Sequence, residues 1–407
     1  MAMGLIVFTA IKNILAMKVE STAYTNDPPA SADHNIKWSS VSAEIDREEY
    51  EQMYASGRHS AGPSTMGAAK VVYKASAPWL FGSAAGVAPR VWKALQACGA
   101  LQTISLTAST DLITANSTIV TLTVGATDYA TSATVYASSH ASTIAAIAVK
   151  VAALNTSGLC TCTASGDVLT IVAKPGILIS AVATTTLGAS QPTWTGAMGL
   201  TPDQSCDQTP YSFAMQAQAP SGNAVTISGK GGMGTFQLVT KNDALCIELT
   251  FTAALVDITD VAGLVLTSPD TGQAPLITKN TTITIASESI RIGKFLMDAV
   301  NDIQPIKDGS TYLGFYIAGR KPVLGIDPAM DLLLNATHYT RWAAGTQAAF
   351  SATSTAVSSR VLTVTAPKAQ IKGSGLKIAA RGQENTYDQS LSLQENSGND
   401  EWRLGIT

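Results

Sequence analysis

Residues 223–255 constrain the fold of this chain more than any other stretch. In the second half, Leu245, Ile247, Leu249 and Phe251 alternate with Cys246, Glu248, Thr250 and Thr252. A β-strand sends successive side chains to opposite faces, so this period of two predicts a strand with one buried and one wet face. The first half supplies its partner. Residues 223–228 and 235–240 are strand-like, and Lys241-Asn242-Asp243 separates them from the return. Asn and Asp tolerate positive φ, which a tight hairpin turn demands. The outgoing strand is interrupted by Gly229-Lys-Gly-Gly-Met-Gly234. That run lacks P-loop spacing and a closing Lys-Ser/Thr pair, and a strand follows where a phosphate-binding helix would begin. It reads as a glycine-rich bend or bulge inside a sheet.

The rest of the chain extends the same theme. A first strand is expected over 14–21, then a turn-rich loop at 25–33 and an extended segment at 36–45. Asp46, Glu48, Glu49 and Glu51 form a charged cluster, expected on a solvated loop face rather than as paired catalytic acids. Residues 56–67 hold Gly, Ser and Pro and are expected to be a loop that a partner orders. A short strand follows at 70–75. Pro89 opens a helix over 90–98, and Gly99 supplies its C-terminal cap. Later strands are expected at 281–286, 289–296, 313–319, 361–366, 376–379, 390–394 and 401–406, with a short helix around His338 and Trp342.

Residues 100–208 carry almost no charge. They predict strands at 119–124, 129–136, 159–164 and 168–173 and a helix near 142–154. Ile144, Ile147, Val151 and Leu154 would share one helical face, suited to lying on a small sheet. The segment is expected to be an inserted, self-contained α+β module within a discontinuous β domain of residues 1–99 and 209–407.

Charged residues make up 14% of the 407, against about a quarter in ordinary globular domains. So little charge suits a protein whose surfaces are largely covered by neighbours. A net charge of -3 gives no support to nucleic-acid capture, which needs a basic face to displace counterions. The five cysteines (Cys98, Cys160, Cys162, Cys206 and Cys246) contain no CxxC pair and are expected to be buried free thiols in a reducing compartment. His34, His59, His140 and His338 are scattered without metal-ligand spacing. Residues 1–17 are apolar but interrupted by Lys12 and Asn13, and too short to span a bilayer. No enzyme chemistry, metal or cofactor is expected.

One segment, Gly82-Ser-Ala-Ala-Gly-Val-Ala-Pro-Arg-Val-Trp-Lys-Ala-Leu-Gln-Ala-Cys-Gly99, resembles the major tail tube proteins of long-tailed bacteriophages through Gly82, Gly86, Pro89, Trp92 and Gly99. Other places agree in the same order. Met17-Lys-Val-Glu-Ser looks like that family's first strand, and Gly231-Gly-Met-Gly-Thr-Phe, with Gly234 and Phe236, like its glycine bend. Arg320-Lys-Pro is similar to its turn. Ala366-Pro367-Lys-Ala-Gln370 and Gly398-Asn-Asp-Glu-Trp-Arg-Leu404, with Asp400 and Glu401, look like its closing strands. Together they span most of residues 1–99 and 209–407. Residues 100–208 depart from the family pattern and resemble a small βα module that recurs in phage tail sheath and tube proteins.

The resemblance implies a mainly β, sandwich- or barrel-like fold with a flanking helix, and a structural role in the virion tail after assembly in the host cytoplasm. Copies of the chain would form rings, usually sixfold, whose sheets join into one inner barrel and stack into a tube that passes DNA without binding it specifically. Other partners would be tail terminator and distal tail proteins, with no membrane insertion. Asp46, Glu48, Glu49, Glu51 and Arg58 would then belong to an inter-ring or lumen loop, and 100–208 would decorate the outside. Two rival readings are a distal or baseplate ring of the tail and a carbohydrate-binding adhesion protein. The second needs aromatic platforms, for which 100–208 offers mainly Tyr129, Tyr136 and Trp194.

Overall fold

In the computed structural model the predicted hairpin is the spine of the molecule. The structure describes residues 13–51 and 64–407, apart from 85, 155–157, 189–190, 204–207, 219–221, 268, 271, 273, 278–280, 331, 358, 383 and 399. Strands hold 61% of it and helices 8%, so the fold is mainly β.

The chain begins with β1 (Asn13–Val19), β2 (Ser40–Glu51), β3 (Ser64–Pro78) and α1 (Trp92–Gln96). Next come β4 (Ala100–Ala108), β5 (Ser117–Val124), β6 (Thr127–Ala130), β7 (Thr134–Val135) and α2 (His140–Ala152). They lead into β8 (Cys160–Ser165), β9 (Val168–Ala173), β10 (Ile179–Leu187), β11 (Trp194–Pro202) and β12 (Tyr211–Gln218). The spine is β13 (Asn223–Lys241) and β14 (Ala244–Ala262). Beyond it lie β15 (Thr281–Ile285), β16 (Glu288–Ile290), β17 (Ile292–Asp298), β18 (Asn301–Asp308), β19 (Thr311–Arg320) and β20 (Val323–Pro328). The chain closes with α3 (Leu332–Ala344), β21 (Gln347–Ser354), β22 (Leu362–Arg381), β23 (Glu384–Gln394) and β24 (Arg403–Ile406).

Asn242 and Asp243 have φ of 49° and 63°, as a two-residue hairpin turn requires. Leu245, Ile247, Leu249 and Phe251 are buried, while Cys246, Glu248, Thr250 and Thr252 are half-buried on the other face. Around Phe251 the core is aromatic. The Phe213 ring lies 4.8 Å from that of Phe251 and 5.5 Å from that of Tyr73. Each fully buried ring of this kind contributes roughly 1.5–3 kcal/mol of transfer free energy.

The glycine run is a pair of bulges. The register of β13 on β14 slips between Ser228 and Gly229 and again between Lys230 and Met233. Bulges increase local twist, and here the outer edge of β13 changes partner, from β12 up to Gly232 to β17 from Gln237. Gly231 has φ +60°, and a Cβ there would lie 2.6 Å from Gly314 Cα. Glycine is therefore required at 231 both by conformation and by the close approach of β19.

From β17 the sheet continues through β20 and β23 to β22. The first part of β22 also pairs with β21 and β24. Residues 100–208 are stitched into this sheet, contrary to the expectation of a self-contained module on a tether. β24 pairs with β11, β11 with β4, β4 with β9 and β9 with β8. The buried amide of Gln102 then joins this sheet to a smaller one, donating to Ile179 O and accepting from Ile179 N, both at 2.8 Å. The smaller sheet is β10, β5, β6 and β7. The α2 face of Ile144, Ile147 and Val151 is fully buried, with Leu154 partly so.

Two further expectations change. The helix predicted over 90–98 is only the five-residue α1, flanked by turns and followed by Gly99 at φ +75°. The acidic cluster at 46–51 and the end of the predicted loop at 64–67 are strand, in β2 and β3. Ladder hydrogen bonds and cross-strand pairs such as Asp46 with Lys70 hold them there.

Candidate functional site

Five of the eleven positions that carry the family resemblance, Gly99, Gly234, Phe236, Arg320 and Glu401, gather around the C-terminal end of α1. Gly234 N donates to Ala97 O at 2.9 Å. The Asn301 amide donates to Cys98 O at 2.7 Å and to Gly234 O at 2.9 Å. Gly99 O accepts from Asp203 N at 2.8 Å. Arg320 Nε reaches Glu401 Oε1 at 3.1 Å, and its Nη1 donates to Asp203 O at 3.1 Å. Phe236 meets Trp402 edge-on, with ring centroids 5.3 Å apart. Three chain segments are thus pinned to the end of one short helix through the carbonyls of Ala97, Cys98 and Gly99, and Arg320 and Glu401 join them through Asp203.

The remaining positions are local devices. A Cβ on Gly82 would lie 2.1 Å from Val87 O, and Gly86 has φ +74°. Pro89 O accepts from Trp92 N at 3.0 Å to open α1, and Trp92 is fully buried. Pro367 sits where β22 slips against β21 between Ala348 and Phe350, a place where no ladder N–H is needed. Asp400 accepts from Asn396 N at 2.7 Å and from Ser397 Oγ at 2.9 Å, closing the turn before β24. These residues position the chain, and none of them presents a reactive group.

The charged positions form an arm. On β2, Asp46 pairs with Lys70 at 3.0 Å. Glu48 sits at a register shift, accepting from Tyr312 Oη at 2.6 Å and pairing with Lys307. The Lys307 ammonium also lies 4.9 Å from the Tyr312 ring centre. The ribbon of β18 and β19 therefore braces the base of the arm. Glu49 is exposed and paired in register with Met66. Arg58, His59 and the side chain of Glu51 lie outside the described residues. The brace was missed in the sequence, although Asp308-Gly309 is a hairpin signal, with Gly309 at φ +56°.

The same region leaves a strand edge open. β14 pairs with β3 only from Cys246 to Ala254. Its last eight residues, 255–262, pair with β13 alone among the described strands. Val256, Ile258 and Val261 on this stretch are 37%, 53% and 40% exposed. Asp257 and Asp260 are exposed on the same stretch, and an open edge of this length is a template for another strand.

Among the described residues, one group has metal-ligand proximity: Asp111, His140 and Asp167. His140 Nδ1 accepts from Leu112 N at 2.8 Å, so its proton is on Nε2, 3.0 Å from Asp167 Oδ1. A metal on Nε2 would force that proton onto Nδ1, against the Leu112 N–H. Through Leu112 and Asp167, His140 clasps two loops together. Burial pushes the Cys98 and Cys160 thiols up, and that of Cys162 to about 12, so they are poor nucleophiles. Cys206 lies outside the described residues.

A scan against protein-family models finds no match to this chain, and a search of curated proteins finds none. What is established is the class: a mainly β protein of large antiparallel sheets, with few and short helices.

Proposed function

We propose that the chain is a structural virion protein that assembles with copies of itself into stacked rings, forming the tail tube of a long-tailed bacteriophage. The observation that carries this reading is the edge of β14, where eight residues, with Val256, Ile258 and Val261 exposed among them, have no second strand partner among the described residues. A second strand there would satisfy the free N–H and C=O groups and cover Val256 and Ile258. Repeated around a ring, that pairing joins the sheets of neighbouring copies into one barrel. The gathering of Gly99, Gly234, Phe236, Arg320 and Glu401 around α1 supports the family, because such a set fixes a fold rather than a catalytic site. The braced arm of β2 and β3 is the element suited to reach the next ring. The low overall charge fits a lumen through which DNA slides, since fixed Lys and Arg would hold its phosphates.

The test is direct. The purified protein, concentrated and with its tail initiator complex supplied, is imaged by negative-stain electron microscopy and followed by sedimentation. Rings or tubes are expected. A protein that stays monomeric under all these conditions is not a tube protein.

A further inference from the structure

On the outward face of β17, β20, β23 and β22 the sheet forms a trough of about 320 Å³. Gly325 and Ser390 make its floor, with Gly325 paired to Leu296 on one side and to Ser390 on the other. β22 widens it by a long bulge. Ile371 faces Leu391 and Leu376 faces Gln389, so residues 372–375 all lie opposite Ser390. Lys294, Lys372 and Lys377 stand exposed around the trough. One carboxylate, Asp388, lies 3.7 Å from Lys294. Lys372 and Lys377 have no ion pair among the described residues, so the trough carries excess positive charge. On the tube reading this face cannot line the lumen, where it would hold DNA phosphates.

We propose that this trough receives the acidic strand β2 of a second copy, an inference that rests on the tube reading above. β2 carries five carboxylates, Glu44, Asp46, Glu48, Glu49 and Glu51, against the one exposed guanidinium of Arg47. Glu44 and Asp46 share a face at a spacing of roughly 7 Å. Their intrachain partners are Lys74 at 3.5 Å and Lys70 at 3.0 Å, exposed pairs that exchange readily. Glu49 is exposed and has no ion pair among the described residues. A strand laid across Gly325 and Ser390 runs beside the half-buried side chain of Leu296, and its carboxylates come within reach of Lys372 and Lys377. Opposite charges on the two surfaces steer the approach and fix which copy's arm enters which trough. Because the charges are exposed, the contact should weaken with salt.

The experiment uses the full chain and measures the concentration needed for assembly by sedimentation velocity at low and high salt. Lys372→Glu with Lys377→Glu should raise that concentration about tenfold, as should Glu44→Lys with Glu49→Lys, and the four together should restore it to within about threefold. Lys372→Gln with Lys377→Gln, checked by thermal melting, guards against a misfolded reversal and should show a smaller shift of the same sign. If the wild type assembles and the trough variants do so at the same concentration, the contact is overturned while the tube reading stands. Loss in both pairs without rescue in the quadruple variant also overturns it. A wild type that never assembles overturns both.

Discussion

The open edge of β14 gives the sharpest prediction. Ile258 is 53% exposed and lies two residues from Val256 on the same face. Covering the exposed half of an isoleucine recovers roughly half of the 1.5–3 kcal/mol that full burial provides, about 1 kcal/mol. Ile258→Lys forfeits that and places a charge where a partner strand must be desolvated, so each contact should lose about 1.5 kcal/mol, or roughly tenfold in its equilibrium constant. Folding stability should move by no more than about 0.5 kcal/mol, because the site is exposed in the single chain. Val149→Lys, on an α2 residue that is 70% exposed, is the control for added charge elsewhere. Assembly is read as the concentration dependence of sedimentation, and folding as the urea midpoint. If Ile258→Lys assembles at the wild-type concentration, the edge is not the subunit contact and the argument from uncovered strand is refuted.

Three other outcomes are expected. His338 is buried with neither ring nitrogen hydrogen-bonded, and burial first, then Arg341, hold its pKa below the usual 6.5, against Glu288. The unfolded chain therefore takes up the proton more readily, so this contribution is complete above pH 6.5 and is lost as the pH falls through the lower folded value. Asp270, raised by burial to about 6, titrates in the opposite sense, so melting at pH 7.5 and 5.5 is compared with His338→Phe, which should shift the difference toward greater relative stability at pH 5.5. Arg320→Ala leaves Glu401 largely buried without its partner and should cost about 3 kcal/mol in urea unfolding, with Arg320→Lys recovering only part. Replacing residues 101–208 with a Gly-Ser linker should lower thermal stability markedly, because it strips β24 of β11; an unchanged melting temperature would show the stitching to be unimportant.

Much of the spine was legible because its physics is local. Leu245 to Phe251 alternate because one face is buried, and Asn242 and Asp243 mark the turn by their tolerance of positive φ. Gly231 announced a bulge for the same reason. The arm was read as a charged loop because its alternation carries no apolar stripe. Ile45, the one large apolar residue among its acids, is itself 42% exposed. β4 alternates clearly, with Ala100, Gln102, Ile104, Leu106 and Ala108 buried. Its route to β24 through β11 spans some two hundred residues that nothing local connects. Likewise Arg320 and Glu401 are each unremarkable in sequence, and only the fold brings them to the end of α1.

The strand pairing also changes what residues 100–208 can be. A tethered ornament would leave β24 with β22 alone, and a four-residue strand with one neighbour is weakly held. Here β24 lies between β22 and β11, and the parent loop before α1 reaches the smaller sheet through Ala88 N to Ser180 O at 2.8 Å. Gln96 Nε2 adds a bond to Ile177 O at 2.7 Å. α1, the element on which some of the resemblance positions converge, is therefore packed between the parent sheet and these residues. Any displacement of 100–208 would be felt at Cys98 and Gly99, and through Asn301 and Gly234 at the base of the β13–β14 spine. On the tube reading, the segment that departs most from the family is thus mechanically coupled to the strand pair whose edge joins one copy to the next.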